Sequence, residues 1–201
     1  MITPKFQTLT IVFHYGFFEN TREGFESTLK KGVQVGLFVD ALHRKLNSRL
    51  HSAGHLLDVC VRNVGLSLEP GKGYHFPDGP YVEYKGSVPQ NDMQNKQAEL
   101  ELEGNKLIEG GKVSAAIVSY EEASEMCGGC LADYIPKGSS PRIVKLGDHP
   151  GCPCGGTHVS DISEIRSMKF PSLSSLAIHS FRILPCFSST DQNDNSEVFM
   201  S

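Results

Sequence analysis

Two short stretches about a hundred residues apart constrain this chain more than anything else in it: His51-Ser-Ala-Gly-His55 and Cys154-Gly-Gly-Thr-His158. On a helix, residues four apart stand one above the other on one face, so the first stretch can aim two imidazoles at one point. The second, with Gly-Gly inside it, reads as a turn that brings a thiolate and an imidazole together. Three histidines and one cysteine make a borderline-soft N/S donor set that suits tetrahedral zinc. With 8 His and 6 Cys in 201 residues, chance supplies roughly 0.3 H-x-x-x-H and roughly 0.24 C-x-x-x-H pairs. Neither spacing is telling alone; the two together are.

Composition frames that pair. A chain of 201 residues with 39% hydrophobic content allows one domain, or one domain with a small appendage. A formal net charge of −4 and a pI near 6.1 argue against a protein that coats nucleic-acid backbone. DNA is therefore not an expected partner, while a local grip on one end of an RNA is compatible with the charge. No run of eighteen apolar residues occurs, so no membrane span is expected, and the N-terminus makes a poor signal peptide. The cysteines, at 60, 127, 130, 152, 154 and 186, sit in ordinary composition. That points to a reducing, cytoplasmic location and not to a disulfide scaffold.

Read in order, Gln7–Tyr15 and Val33–Asp40 are predicted strands, paired antiparallel. A central helix follows, capped by Asn47 or Ser48 and ended by Gly65, with Leu50, Ala53, Leu57, Cys60 and Val64 as its core stripe. His51 and His55 fall at the edge of that stripe, rigidly mounted yet open to a cleft. Glu69–Gly73 reads as a loop, and Tyr74–Tyr84 as a hairpin turning at Pro-Asp-Gly. Pro89–Glu109 is a predicted helix with a narrow apolar edge of Met93, Leu100 and Leu107. Gly104 interrupts it at a cost of ~1 kcal/mol relative to Ala, and Glu99–Glu103 reads as a solvated face. Val113–Ser119 and Ile143–Leu146 are predicted strands, Glu121–Met126 a short helix, and Ser163–Phe170 a last strand.

Other residues compete for the chemistry. His75 is a candidate pocket residue or fifth ligand, although a half-buried strand histidine is the plainer reading. Cys127-Gly-Gly-Cys130 invites a redox or zinc role, including a Cys127/Cys130/Cys152/Cys154 site, but that arrangement leaves three well-spaced histidines idle. Asp148 and His149 stand near enough to the second motif to serve it, or to be turn residues. A metalloprotease helix needs Glu directly after its first His, and here that position is Ser52, which excludes the peptidase reading.

The wording around the pairs is more specific than their spacing. Asn47-Ser-Arg-Leu-His-Ser-Ala-Gly-His-Leu-Leu-Asp58, followed by Pro153-Cys-Gly-Gly-Thr-His-Val159, resembles the editing-domain family of alanyl-tRNA synthetase. That family includes freestanding AlaX-type proteins and the related second additional domain of threonyl-tRNA synthetase, and the resemblance covers residues 30 to 170. Carried over residue by residue, it implies His51, His55, Cys154 and His158 as ligands of Zn2+. It also implies an activity: zinc-dependent hydrolysis of a mischarged aminoacyl-tRNA in trans, Ser-tRNA(Ala) above all, in support of translational fidelity. The partner is then the tRNA acceptor end carrying its amino acid. A pocket that selects alanine cannot strongly reject a substrate that only adds a hydroxyl, so a second, hydrolytic sieve is needed.

Thr157 is the nearest hydroxyl partner for a serine substrate, or a plain turn residue. Arg44, Lys45 and Arg49, with Lys137, Arg142 and Lys145, are expected to face the cleft and touch a few phosphates. The ion can activate water or anchor the substrate's amino group; both roles stay open, and no catalytic side chain stands out. The alternative is a non-catalytic, zinc-stabilised module that binds aminoacyl-tRNA or a synthetase, which the four-ligand count favours. Nothing in the sequence specifies an oligomeric state.

The fold this implies is α+β, a mostly antiparallel sheet with two principal helices packed on it and the zinc site in the cleft. Two departures from the family pattern matter. No P-x-G-G-G-Q-P segment precedes the histidine pair, and a serine-rich stretch follows Lys169-Phe170. The expected organisation is therefore a partial N-terminal β-segment over 1–30, the zinc-binding editing-type domain over 31–170, and an atypical, partly disordered tail over 171–201.

Overall fold

The computed structural model describes residues 30–34, 36–177 and 180–186, with side chains described up to residue 170. The strand expected over Gln7–Tyr15 and the last part of the expected tail lie outside the described residues. The chain divides into two units, Met1–Phe38 and Val39–Ser201. In the first, the described residues form a turn closed by Val33 N–H donating to the Lys30 carbonyl at 3.1 Å. The strand expected over Val33–Asp40 does not form. Alternation signals a strand only where one face is buried, and Val33, Leu37, Phe38 and Val39 are all exposed.

The second unit is α+β, with three α-helices and two antiparallel sheets among the described residues. Its spine is α1, Ala41–Asn63, which starts several residues before the expected cap. Asp40 is the true N-cap: its carboxylate accepts from His43 N–H at 2.9 Å and lies 3.2 Å from His43 Nδ1. The helix ends as expected at Gly65, at φ 75°. There Gly65 N–H donates to the Arg62 carbonyl and Leu66 N–H to the Val61 carbonyl, the paired bonds of a Schellman stop.

The first sheet runs in the order β1-β2-β7-β6, built from β1 (Glu69–Tyr74), β2 (Tyr81–Lys85), β6 (Lys169–Ala177) and β7 (Ser180–Cys186). The second has the order β3-β4-β5, from β3 (Val113–Ile117), β4 (Arg142–Leu146) and β5 (Cys152–Pro153). The expected hairpin is present, but its first arm is the segment read as a loop. Pro70 and two glycines sit there in a bulged strand, its register shifting between Pro70 and Gly73. The sheet also runs past residue 170, where the domain boundary was placed: β7 pairs with both β2 and β6. The last strand expected from Ser163 begins only at Lys169. Before it, Ile162–Ile165 is a 3-10 turn fixed by a reciprocal capping box of Asp161 and Glu164.

The core forms where α1 meets everything else. Ala53, Leu56, Leu57, Cys60 and Val61 share one cluster with Val82 and Phe170 of the first sheet and Val144 and Leu146 of the second. Helix α2 (Met93–Leu107) adds Met93 and Leu100. Its acidic run is not simply solvated. Glu101 accepts from Phe170 N–H at 2.9 Å, and Glu103 accepts from Asn63 Nδ2 at 2.7 Å. The third helix, α3 (Tyr120–Met126), is capped by Ser119. No helix among the described residues is long and apolar enough to cross a membrane.

Candidate metal centre

Helix periodicity places His51 and His55 on one face of α1, with ring centroids 4.9 Å apart. The loop after β5 delivers the other two groups. The His158 ring lies 4.3 Å from that of His51 and 5.1 Å from that of His55. One donor atom from each of His51, His55, Cys154 and His158 lies within 4.8 Å of all the others. This is the only such group of three or more among the described residues. Cys127 is half-buried and Cys130 exposed; neither joins the group. Asp148 and His149 stay in the turn after β4, His149 N–H donating to the Leu146 carbonyl at 3.2 Å.

The chemistry of the donors fits a divalent metal such as zinc. Burial, followed by the neighbouring imidazoles, holds His55 well below the ordinary histidine range, at about 3. Burial, then His51, holds His158 at about 4. His51 is lowered too, again chiefly by burial, against the raising influence of the Thr157 carbonyl. Neutral imidazoles offer lone pairs, and here these are conspicuously unsatisfied. Nε2 of His55 and both ring nitrogens of His158 are buried without a hydrogen-bond partner, an arrangement that is costly unless something else takes the lone pairs.

The surroundings fix which atoms face inward. His51 Nδ1 is 3.2 Å from the Thr157 carbonyl, which can only accept, so Nδ1 carries the proton. Nε2 is left 3.4 Å from Cys154 Sγ. His55 Nδ1 lies 3.2 Å from Cys152 Sγ, a thiol that burial pushes up to about 12. The loop is held by Arg142, whose Nη1 donates to the carbonyls of Cys154 at 2.7 Å and Gly156 at 3.0 Å. Ser52, between the two helix histidines, accepts from Val159 N–H at 3.1 Å. It thereby ties the helix to the strand of chain just past His158.

Two expected roles change. Arg142 faces the loop backbone, and Arg49 is buried, donating to the Ile165 carbonyl at 3.2 Å. Both were expected at phosphates, and in the structure both bind backbone carbonyls. His75 is not in a strand but in the turn after β1. Its ring stacks on His51 at 4.9 Å and 25° and rests in a hollow left by two glycines. A β-carbon at Gly54 would come 2.8 Å from His75 Nδ1, and one at Gly73 2.9 Å from its Cε1. His75 therefore borders the cluster without supplying one of its four donors.

Thr157 is exposed. Its hydroxyl lies 3.2 Å from that of Ser48, and it lines an open cleft of about 350 Å3 with Asp40, His43, Arg44 and Asn47. A second, smaller chamber of about 210 Å3 is lined by His55 and walled in part by Asp58, Tyr84 and Cys152. The buried Tyr84 hydroxyl donates to Asp58 at 2.7 Å, and burial raises the Asp58 carboxyl to about 6. Sequence reading put Cys152 in a competing cysteine site and Arg142 at phosphates, and it missed the Asp58–Tyr84 pair. The one local signal was the doubled cysteine of Cys152-Pro-Cys154.

Comparison with known proteins shows what the chain is similar to. The family described as the threonyl and alanyl tRNA synthetase second additional domain matches residues 142–183. An alanine–tRNA ligase of Petrotoga mobilis is 32% identical over 154 residues, which is 76% of this chain and 17% of that protein. One from Lactobacillus helveticus is 31% identical over 157 residues, 77% of this chain and 18% of the ligase. The alanyl-tRNA editing protein AlaX-L of Pyrococcus horikoshii is 30% identical over 141 residues, 70% of this chain and 33% of that protein. The match thus spans under a fifth of these ligases and a third of the editing protein.

Proposed function

The chain belongs to the editing-domain family of alanyl-tRNA synthetases and AlaX-type proteins, and from that membership we propose that it hydrolyses mischarged aminoacyl-tRNA in trans, with Ser-tRNA(Ala) as its main substrate and zinc held by His51, His55, Cys154 and His158. One observation carries the reading: four N/S donors from segments far apart in sequence converge, with buried ring nitrogens left unpartnered. Bound there, zinc supplies a Lewis acid that can polarise an ester carbonyl or bring bound water towards a pKa of ~7.

The chain's own residues do the rest. Burial keeps the imidazoles neutral, and the Thr157 carbonyl and the Arg142 guanidinium set the positions of His51 and of the Cys154 loop. Arg44 and Lys45 are exposed on the first turns of α1, beside the open cleft, and are the residues we assign to tRNA phosphates. With Lys137 and Lys145 they form a small set, consistent with a grip on the acceptor end alone. The Thr157 hydroxyl, in the same cleft, is the candidate partner for a serine side chain. The reaction belongs in the cytoplasm, where charged tRNA is made and thiols stay reduced.

A second reading is kept by the same donor count. Four protein ligands complete a tetrahedron, as in structural zinc sites, so the domain could bind aminoacyl-tRNA or a synthetase without hydrolysis. The deciding experiment measures zinc content and single-turnover deacylation of Ser-, Gly- and Ala-tRNA(Ala) by the purified chain. We expect about one zinc per chain, lost on His51→Ala or Cys154→Ala and kept in a Cys127→Ser/Cys130→Ser double variant. We expect serine to be released faster than alanine. Equal rates would defeat the selectivity, and the absence of any zinc-dependent hydrolysis would leave the binding module.

A further inference from the structure

We propose that Cys152 is a positioning residue for the metal centre, holding His55 in the tautomer that presents Nε2 to the ion. The inference rests on the metal reading above. Its basis is a pair of contacts made by one sulfur. Cys152 Sγ lies 3.7 Å from the Val144 carbonyl, to which the S–H donates. That leaves sulfur lone pairs as the acceptor for His55 Nδ1, 3.2 Å away. Nε2 of the same ring is then unprotonated; it is buried without a hydrogen-bond partner, and His55 is one of the four residues whose donors converge.

Cys152 is itself firmly placed. It pairs with Val144 in the β4–β5 ladder, and the preceding Gly151 N–H donates to the Met126 carbonyl at 2.8 Å. The arrangement parallels that at His51, where the Thr157 carbonyl takes the Nδ1 proton. Both helix histidines thus turn the same nitrogen inward, one held by a backbone oxygen and one by a thiol. Such outer partners normally change metal affinity by about 10–100-fold when removed. A thiol is the weaker acceptor of the two, so the effect at His55 belongs at the low end of that range.

The test is chelator competition for zinc with the full chain and with Cys152→Ala and Cys152→Ser. Alanine should lower affinity at least about tenfold. Serine, whose hydroxyl can both donate to Val144 and accept from His55, should restore most of it. Two further readouts separate positioning from folding or ligation. In zinc-loaded wild type, 15N resonances should show His55 protonated at Nδ1 and ligated through Nε2, with the Nδ1 proton exchanging faster in the alanine variant. Cobalt-substituted protein should show the charge-transfer intensity of one thiolate, unchanged by Cys152→Ser. Unchanged affinity in Cys152→Ala, His55 ligated through Nδ1, or a serine variant as weak as alanine with lost thiolate intensity would each overturn the proposal. A wild type that takes up no zinc overturns the metal reading itself, and that result is read from the wild type alone.

Discussion

Gly156 lies directly beneath the imidazole of His51: a β-carbon built on it would stand 2.7 Å from His51 Nδ1. The neighbouring Gly155 has nothing within 4 Å of the same position. The two glycines of Cys-Gly-Gly-Thr-His thus do different jobs. Gly156→Ala should displace His51 and sharply weaken metal retention, while Gly155→Ala should leave it near wild type. Equilibrium dialysis with zinc on the two variants checks this, and equal behaviour would remove the steric account.

Arg142 should matter to the metal without touching it. It holds the carbonyls flanking the Cys154 turn from a single nitrogen, and charge-assisted bonds of this kind contribute about 2 kcal/mol. Arg142→Gln should lower both the thermal midpoint and zinc affinity, and Arg142→Lys should recover only part of either, since an ammonium is not a planar donor fork. If the variant binds zinc normally but no longer binds tRNA, the residue belongs to the RNA surface after all.

Gly104, in the last turn of α2, is a place to gain stability. It is buried, but a β-carbon there would meet Met168 Sδ at 3.5 Å and Cys60 Sγ at 3.6 Å, ordinary contact distances. Gly104→Ala should therefore stabilise the fold by about 0.5–1 kcal/mol, raising the melting temperature by about 1–4 °C. A fall on differential scanning calorimetry would show that the packing against Met168 is tighter than these distances imply.

Asp58 should give stability an opposite pH dependence from that of ordinary paired carboxylates. Its folded-state pKa is raised, chiefly by burial, from 3.8 to about 6. Its contribution is complete below the unfolded value and is lost as pH rises through about 6. Asp58→Asn, which keeps an acceptor for the Tyr84 hydroxyl, should therefore gain on wild type between pH 4 and pH 7, by something on the order of 2 kcal/mol. Urea midpoints of both proteins at the two pH values decide it; a constant difference would mean that Asp58 is better solvated than its burial indicates.

Much of the site was legible because its donors announce themselves by residue type and spacing. His51 and His55 needed only helical periodicity, and the Cys154–His158 turn only its glycines. What stayed hidden were the residues that act through the backbone. Arg142 looked like a phosphate ligand, and Ser52 stood out only as the absence of a protease glutamate, because a bond to a distant carbonyl or N–H leaves no local pattern. The fold was read well where one face is buried, as along Leu50, Ala53, Leu57 and Cys60. It was misread where chain pairing overrides propensity. Pro70-Gly-Lys-Gly73 has the composition of a loop yet sits in a bulged strand, and Val33–Asp40 has the alternation of a strand without a face to bury. The 3-10 turn at Ile162 carried a capping-box signal, Asp161 to Glu164, that apolar counting alone passes over.

The convergence of His51 and His55 with Cys154 and His158 has a consequence beyond chemistry. Any ion that takes all four donors fastens the middle of α1 to a turn roughly a hundred residues later, closing a large loop whose entropy the unfolded chain otherwise keeps. Such a clasp makes the departure of α1 and of the β5 turn from the native fold a single event. Amide exchange in the two segments should then slow together on loading with metal, and chelation should loosen them as one cooperative unit.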